Sequence, residues 1–382
     1  MFAIVNCDIF TGASVLHDRA VVVDGDRVAA IVPEEGLAAG LDRINLQGQC
    51  LAPGFIDTQV NGGGGVLFND TPTPEGIRAI AAAHRRFGTT DLLPTFITDA
   101  GDQMAAAAAA VRDVRAEAPF GGVLGIHFEG PFLAESKAGV HDKRFIRPPN
   151  DSDFSTIESM RGTGAVVVTL APEVCATEDI RRLRRSGALV SIGHTNATCE
   201  QAAAAFRAGA TCATHVFNAM SALTSRSPGV VGAALDDRAS WMGIIVDGHH
   251  SDFVAARVAI RAKARGKTFL VTDAMPPVGA TTGDFRLGEY AIEVKDGRCV
   301  TPDGVLAGSA LDMATAVRNC VQQLGIPLDE ALRMASTYAA EFLGLGDKLG
   351  RIAPGYRANF AVFNNQVSVS AVFMNGRYEI LA

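Results

Sequence analysis

The chain has 382 residues, of which 48% are hydrophobic and 20% are charged, and its formal net charge is −7. This composition is typical of a folded globular protein and argues against a disordered chain. The acidic balance, without any stripe of lysine or arginine, argues against nucleic acid as a partner. No uninterrupted apolar run reaches the ~18 residues of a membrane helix, so no membrane partner is expected.

The seven cysteines are odd in number and are never spaced Cys-x-x-Cys. This spacing argues against a disulfide framework and against a zinc ribbon. No basic segment precedes the apolar residues at the N-terminus, as a secretory signal would require. These features predict a cytoplasmic protein, in which the cysteines are small buried hydrophobic residues.

Short β-rich segments bracket the chain, and turn signals such as Asp24-Gly25 and Asn375-Gly376 separate or follow them. We predict that they form one small β-sandwich domain, built from residues 1–53 and 351–382. The predicted strands of this domain are Ala3–Ile9, Arg19–Val23, Arg27–Ile31, Phe360–Phe363 and Ser370–Met374.

Between these segments, over residues 54–350, short apolar runs alternate with helix-like stretches such as Glu75–Phe87, Asp102–Glu117 and Cys199–Ala208. This alternation is the pattern of parallel βα units. Eight such units in ~220–250 residues predict an α/β fold, a (β/α)8 barrel. The eight predicted strands are Phe55–Val60, Thr90–Phe96, Val123–Phe128, Val166–Leu170, Leu189–Ile192, Cys212–Phe217, Trp241–Val246 and Lys267–Val271.

Polar residues lie at the end of almost every predicted barrel strand or just after it. In such barrels the catalytic groups lie at the carboxyl ends of the strands, so we expect these residues to share one rim. They are Gln59, Asn61, Thr95, His127, Glu129, Glu173, His194, His215, Asn218, Asp247, His249, His250 and Asp273.

Glu129, His194 and His215 come from the ends of three different strands. A single histidine at a strand end is more often a hydrogen-bonded core residue, but two imidazoles and a carboxylate match catalytic zinc sites that leave a fourth position for water. Asp273, at the end of the eighth strand, has two interpretations. It could cap a helix, or it could be the general base for a metal-bound water; its place at the mouth of the barrel favours the base.

Longer strings occur in order along essentially the whole chain: HFEGPF at 127–132, IGHT at 192–195, THVFNAM at 214–220, VDGHH at 246–250, VTDA at 271–274 and LAGS at 306–309. LAPGFID at 51–57 and GRIAPG at 350–355 look like hinges between a small β-domain and a barrel. In this combination the chain resembles the N-acetylglucosamine-6-phosphate deacetylase family of the amidohydrolase superfamily.

The resemblance implies hydrolysis of the N-acetyl group of N-acetylglucosamine 6-phosphate, giving glucosamine 6-phosphate and acetate. It implies one divalent metal ion per subunit; Zn²⁺ is expected, with Fe²⁺, Co²⁺ or Mn²⁺ as alternatives. Glu129, His194 and His215 match the metal ligands, Asp273 the catalytic aspartate, and His141 the histidine that contacts the acetyl carbonyl. The implied substrate contacts are Asn218, Ala219, Ala138, Leu306, His250 and, from the neighbouring subunit of a homodimer, Arg226.

Gln59 and Asn61 occupy the place where many members of the superfamily carry His-x-His for a second metal. Because amides are poor ligands for zinc, we predict one tightly held metal and interpret this pair as a remnant of a second site. Three alternatives stay open: the same reaction on the N-acetylgalactosamine epimer, another amidohydrolase activity, and an inactive sugar-phosphate-binding barrel. The missing His-x-His argues against the second, and the complete ligand set against the third.

Overall fold

The structure is a computed structural model that describes residues 1–281 and 283–381. No helix in these two ranges is both long and apolar enough to cross a membrane. The strands are β1 Phe2–Phe10, β2 Val15–Leu16, β3 Arg19–Asp24, β4 Arg27–Pro33, β5 Asp42–Pro53, β6 Phe55–Val60, β7 Gly62–Gly63, β8 Val66–Leu67, β9 Thr89–Ile97, β10 Gly125–Glu129, β11 Ala165–Leu170, β12 Leu189–Ile192, β13 Ala210–Ala213, β14 Trp241–Ile244, β15 Thr268–Leu270, β16 Phe285–Leu287, β17 Tyr290–Lys295, β18 Arg298–Val300, β19 Leu306–Ser309, β20 Phe360–Phe363, β21 Val369–Met374 and β22 Arg377–Ile380. The helices are α1 Pro74–Arg85, α2 Gly101–Glu117, α3 Asp151–Glu158, α4 Thr177–Ser186, α5 Cys199–Ala208, α6 Gly229–Asp236, α7 Phe253–Ala262, α8 Met313–Gln322, α9 Leu328–Leu332 and α10 Tyr338–Phe342.

The two ends of the chain share one hydrogen-bonded sheet, in the order β22-β21-β20-β5-β1-β3-β4, with β2 paired to β1. β5, which the sequence did not reveal, joins the two ends, because it pairs parallel with β1 and antiparallel with β20. Alternate side chains of these strands, including Ile4, Val21, Leu51, Phe360 and Phe373, form a separate apolar core. The sheet-rich domain predicted from both termini is confirmed, whereas its limits at residues 53 and 351 stay a prediction.

Eight parallel strands form the barrel, in the order β15-β14-β13-β12-β11-β10-β9-β6. The barrel closes where Val60 of β6 forms a parallel bridge with Ala274, in the segment that follows β15. There the Asp273 N–H donates to the Gln59 carbonyl at 3.0 Å, and the Asn61 N–H donates to the Ala274 carbonyl at 2.9 Å. The predicted (β/α)8 barrel is confirmed, and its closure brings together two rim segments that are far apart in sequence.

The helices between the strands follow from local chemistry. Thr73 caps α1, since its side chain accepts a hydrogen bond from the Gly76 N–H. The alanine-rich α2 has high helix propensity and buries Met104, Ala107 and Val111 at helical spacing.

The sixth barrel strand ends earlier than its apolar pattern predicts. The predicted run is Cys212–Phe217, but β13 ends at Ala213. The chain then turns through left-handed backbone at His215 (φ 27°) and Phe217 (φ 81°). Val216 and Phe217 are apolar because they pack against the barrel core, so composition alone cannot distinguish this turn from a strand. The turn carries His215 over the mouth of the barrel.

The loop after the eighth strand contains a four-stranded antiparallel sheet, β16 to β19, that the sequence analysis did not predict. A parallel bridge between Ala274 and Ser309 attaches β19 to the segment that follows β15. The insertion therefore lies against the mouth of the barrel and brings Leu306 to the site.

Candidate metal centre and catalytic site

A cavity of about 500 Å³ opens at the carboxyl ends of the barrel strands. Three predicted site residues, all in the described part of the chain, do not line this cavity: Gln59, Ala138 and Arg226. The predicted residues that do are Asn61, Glu129, His141, His194, His215, Asn218, Ala219, His250, Asp273 and Leu306.

Three predicted ligand atoms converge at the floor of this cavity. Oε1 of Glu129 lies 2.9 Å from Nε2 of His215 and 3.2 Å from Nε2 of His194, and the two nitrogens are 3.2 Å apart. All three side chains are buried. Ligands bound at ~2.0–2.1 Å to a tetrahedral zinc ion lie ~3.3 Å from one another. The three atoms thus fit a single cation without rearrangement.

The hydrogen bond at the other ring nitrogen of His194 also suits a metal ligand. Its Nδ1 lies 2.8 Å from the Lys137 carbonyl, which can only accept, so Nδ1 donates this bond and Nε2 is left to face Glu129 and His215. Burial raises the pKa of Glu129, but the hydrogen bonds with His194 and His215 bring it well below its usual value. A carboxylate oxygen and two imidazole nitrogens that converge on one place form a suitable donor set for a cation.

His141 is another possible ligand, because its ring offers an atom within 4.8 Å of those of Glu129 and His194. However, its Nδ1 faces the Thr98 backbone N–H at 3.3 Å and the Thr98 Oγ1 at 2.8 Å. A backbone N–H can only donate, so Nδ1 accepts and Nε2 carries the proton. Burial lowers the pKa of His141 to about 3, which keeps the ring neutral. An N–H is a donor and not a ligand, so the geometry favours His215 as the third metal ligand.

Asp273 is held by two amide side chains. Nδ2 of Asn61 donates to its Oδ1 at 2.7 Å, and Nε2 of Gln59 donates to the same oxygen at 3.2 Å and to Oε1 of Glu129 at 3.0 Å. Burial, followed by the negative charge of Glu129, raises the pKa of Asp273. Gln59 and Asn61 therefore present N–H donors to the two carboxylates, where a second metal site would need lone pairs.

The backbone at three of these residues is left-handed: φ is 46° at His194, 27° at His215 and 53° at Asp273. Such values are uncommon for residues other than glycine and cost free energy, and they concentrate at functional sites. Sequence alone gives no signal for them.

His250 and Asp247 form a pair at another part of the cavity wall. Nδ1 of His250 donates to Oδ2 of Asp247 at 2.6 Å, and Oδ1 of Asp247 accepts the backbone N–H groups of His249 and His250. Burial raises the pKa of Asp247, but these bonds outweigh it and lower the pKa. The carboxylate fixes the His250 ring and leaves its Nε2 for a ligand. Arg226 lies in an exposed loop at residues 222–228.

The sequence analysis missed two residues that orient the site. Thr98 contacts His141, and Lys137 contributes only its carbonyl, a group that no residue-type pattern can reveal. Two members of the predicted rim have other positions. Glu173 accepts hydrogen bonds from the Thr195 hydroxyl and the Asn196 N–H. His127 lies deeper in the barrel, where burial lowers its pKa to about 4.

Comparisons with known proteins agree with this fold. Residues 50–378 match the model of the Amidohydrolase family, and residues 1–51 match that of the NagA composite domain. The N-acetylglucosamine-6-phosphate deacetylase of Haemophilus influenzae is 38% identical over 384 residues, 99% of each chain. The N-acetylgalactosamine-6-phosphate deacetylase of a Shewanella species is 44% identical over 328 residues, 85% of this chain and 82% of that protein.

Among solved structures, an N-acetylglucosamine-6-phosphate deacetylase from Pasteurella multocida superimposes with a TM-score of 0.96 at 39% identity and covers 99% of both chains. Similarity of this extent includes the terminal sheet and the barrel. The chain belongs to the N-acetylglucosamine-6-phosphate deacetylase family of the amidohydrolases.

Proposed function

We propose that this protein hydrolyses the amide bond of N-acetylglucosamine 6-phosphate and releases acetate and glucosamine 6-phosphate. The observation that carries the proposal is the convergence of Glu129, His194 and His215 within 3.2 Å of one another, in a cavity that Asp273 also lines. The names of the Haemophilus and Pasteurella relatives support the choice of substrate.

Glu129, His194 and His215 would hold one divalent cation. Their nitrogen and oxygen donors suit Zn²⁺, and Fe²⁺, Co²⁺ and Mn²⁺ are compatible with the same set. When bound, such an ion lowers the pKa of water to about 7 and polarises a carbonyl group. The amide donors of Gln59 and Asn61 support one metal per subunit.

Two side chains would handle the proton and the developing charge. Asp273 takes the proton from the attacking water and delivers it to the amine nitrogen as the C–N bond breaks. Gln59 and Asn61 both donate to its Oδ1 and so orient the carboxylate. His141 donates its Nε2–H to the acetyl oxygen as negative charge develops there, an interaction of the type worth roughly 10²–10³ in rate.

The phosphate would bind at the opposite end of the cavity. His250, whose ring is fixed by Asp247, would contact it through Nε2, and Asn218, Ala219 and Leu306 supply further contacts to the sugar phosphate; Ala138 lies just outside the cavity lining. Arg226 would come from the other subunit of a homodimer, which fits its exposure in the single chain. A guanidinium suits a phosphate dianion because it can donate two parallel hydrogen bonds.

We also propose a cytoplasmic location. All seven cysteines are free. A chain with seven unpaired thiols suits a reducing compartment.

N-acetylgalactosamine 6-phosphate is a second candidate substrate, since the Shewanella relative that carries this activity in its name is 44% identical to this chain. The full-length similarity to the Haemophilus protein supports the gluco epimer. The two sugars differ only at the 4-hydroxyl.

Acetate release should be measured from N-acetylglucosamine and N-acetylgalactosamine, each with and without the 6-phosphate, together with the metal content of the same protein. We expect the fastest release from N-acetylglucosamine 6-phosphate, loss of activity with a chelator, and recovery on adding Zn²⁺. Faster release from the galacto compound would reverse the epimer assignment. Binding of the sugar phosphates without acetate release by metal-loaded protein would instead indicate an inactive barrel.

A further inference from the structure

A second, small cavity lies inside the barrel beneath the proposed metal ligands. Every residue that lines it is buried. The volume that the centre of a water molecule can occupy in this cavity is about 10 Å³. This is roughly the room that one water needs and too little for a larger ligand. The residues at its wall include Thr58, Ser191, Thr214, His215 and Gly243.

His215 lines both cavities. Its Nε2 faces Glu129 and His194 in the large one, whereas its Nδ1 is fully buried and has no hydrogen-bond partner in residues 1–281 and 283–381. With Nε2 on a metal, Nδ1 carries a proton, and a metal-binding histidine almost always donates that proton to a carboxylate, a carbonyl or a water. The other histidine ligand, His194, has such a partner in the Lys137 carbonyl.

Hydrogen bonds connect a chain of polar side chains in the same part of the barrel, and the donor and the acceptor of each bond can be deduced. Nδ1 of His127 lies 3.1 Å from the Thr58 carbonyl, which can only accept, so Nδ1 donates and Nε2 of the neutral ring accepts. The Thr169 hydroxyl, 2.7 Å from Nε2, must therefore donate to it. Thr214 then donates to Thr169 at 2.7 Å.

At the end of this chain, Ser191 donates its only proton to the Thr214 hydroxyl at 2.6 Å. Its oxygen is left with acceptor capacity at the wall of the small cavity. The residues at the cavity wall thus include His215, whose buried Nδ1 lacks a partner among the described residues, and Ser191, whose oxygen has acceptor capacity. One water molecule within reach of both would satisfy them.

We propose that this cavity is a binding site for one structural water, which accepts the Nδ1–H of His215 and donates to Oγ of Ser191. The water links His215 to the hydroxyl chain and fixes the orientation of its ring. The inference rests on the proposed role of His215 as a metal ligand. Loss of such a partner typically weakens metal binding by about 10–100-fold.

Two variants test the site from opposite directions. Gly243→Ala places a methyl group among residues that line the cavity; its Cβ would lie 3.3 Å from Cε2 of Phe269 and 3.4 Å from Cγ1 of Val271, a fit that needs only small shifts. It should displace the water. Ser191→Ala removes the acceptor without adding an atom, so it tests the proposal even if Gly243→Ala does not fold.

Thr211→Val is the matched control, because it removes a hydroxyl that bonds to the Val190 carbonyl and does not line the cavity. Metal affinity is measured by competition with a chelator. We expect both test variants to bind Zn²⁺ at least about tenfold more weakly than wild type, and the control to bind it as wild type does.

A crystal structure of the zinc-loaded wild type at high resolution should show one water ~2.7–3.2 Å from Nδ1 of His215. A dry cavity beneath a bound metal, or test variants with the metal affinity of the control, would overturn the inference. Anomalous scattering from the same crystal reports the metal itself. Its absence at Nε2 of His215 would contradict the proposed function, and that result is distinct from a missing water.

Discussion

The side chain of Asp273 is surrounded by residues that are distant from it in sequence. Gln59 and Asn61 precede it by 214 and 212 positions, and both donate to its Oδ1. In an asparagine the carbonyl oxygen can take the place of Oδ1 and keep both bonds. This makes asparagine a closely matched replacement that removes only the ability to accept a proton.

We therefore expect Asp273→Asn to lower kcat by about 10²–10⁴-fold, the usual contribution of a general acid–base group, while the protein keeps its metal. The measurements are steady-state acetate release and metal analysis of the purified variant. Loss of the metal would show that Asp273 is a ligand, and an unchanged kcat would remove it from the proton transfer.

For individual residues, the sequence predicted the chemical groups of the site but not the contacts that orient them. Glu129, His194, His215 and Asp273 lie at the ends of apolar runs or just after them, so the strand pattern predicted that they share one rim. Thr98 could not be predicted, because its bond to His141 joins two loops whose approach depends on the fold. The role of Gln59 and Asn61 as donors also required the geometry, since composition reveals only that they are not histidines.

Among the elements, β19 has a direct influence on the site. The Ser309 N–H donates to the Asp273 carbonyl, and the Met275 N–H donates to the Ser309 carbonyl, both at 2.9 Å. Gly308, at φ 63°, packs so closely that an added Cβ would lie 2.5 Å from Cγ of Met275 and 2.9 Å from the Asp273 carbonyl oxygen. The position of β19 and that of Asp273 are therefore coupled.

Gly308→Ala should push β19 away from Asp273 and lower kcat/KM by about 100-fold or more, since small misplacements of catalytic groups have effects of this size. Gly304→Ala is the control, because Gly304 also has a positive φ (80°) and lines the same cavity, but its added Cβ meets nothing within 4 Å. Because both glycines have a positive φ, alanine in that backbone conformation should lower the folding stability by a similar amount in the two variants. Equal activity of the two would show that β19 does not position Asp273.

Periodicity and turn signals were sufficient for the barrel strands, because a parallel sheet covered on both faces has continuous apolar runs. They failed for β5 and for the sheet β16 to β19. The only continuous run of buried residues in β5 is at its end, and half of the residues in β16 to β18 are exposed, so neither segment has a long apolar run. Their pairing depends on partners that local sequence does not specify.

For the whole molecule, the proposed homodimer makes a test of subunit exchange possible. A heterodimer of one Arg226→Ala chain and one Asp273→Asn chain has one complete site, because the first chain keeps Asp273 and receives Arg226 from the second. Purified heterodimers should show about half of the wild-type activity per dimer, whereas each parent dimer is impaired.

The control pairs an Arg226→Ala chain with a chain that carries both substitutions, since no complete site can then form. Activity should not recover. Recovery in this control, or none in the first heterodimer, would show that Arg226 does not act across the interface.

Asp91 links the barrel to the terminal sheet, as its Oδ2 accepts hydrogen bonds from Asn359 at 2.9 Å and Thr90 at 2.8 Å. Burial raises the pKa of Asp91 to about 6 from its usual value of 3.8. The folded state thus holds this proton more tightly than the unfolded chain. The stability that Asp91 contributes is greatest below about pH 4, falls as the pH rises to about 6, and is constant above that.

Asp91→Asn should remove this pH dependence, on the order of 2 kcal/mol between pH 4 and pH 6, while one side-chain oxygen keeps both bonds. The measurement is the difference in unfolding free energy between variant and wild type at several pH values. A difference that does not change with pH would show that Asp91 titrates in the folded protein as it does in the unfolded chain.

The shared terminal sheet has a consequence for protein synthesis. Pro53 at the end of β5 pairs with Phe360, so one edge of β5 has no partner until almost the entire chain has left the ribosome. An open strand edge is a template for pairing with other chains. Translation products that stop within the barrel keep this edge exposed, so we expect them to aggregate more readily than the folded protein.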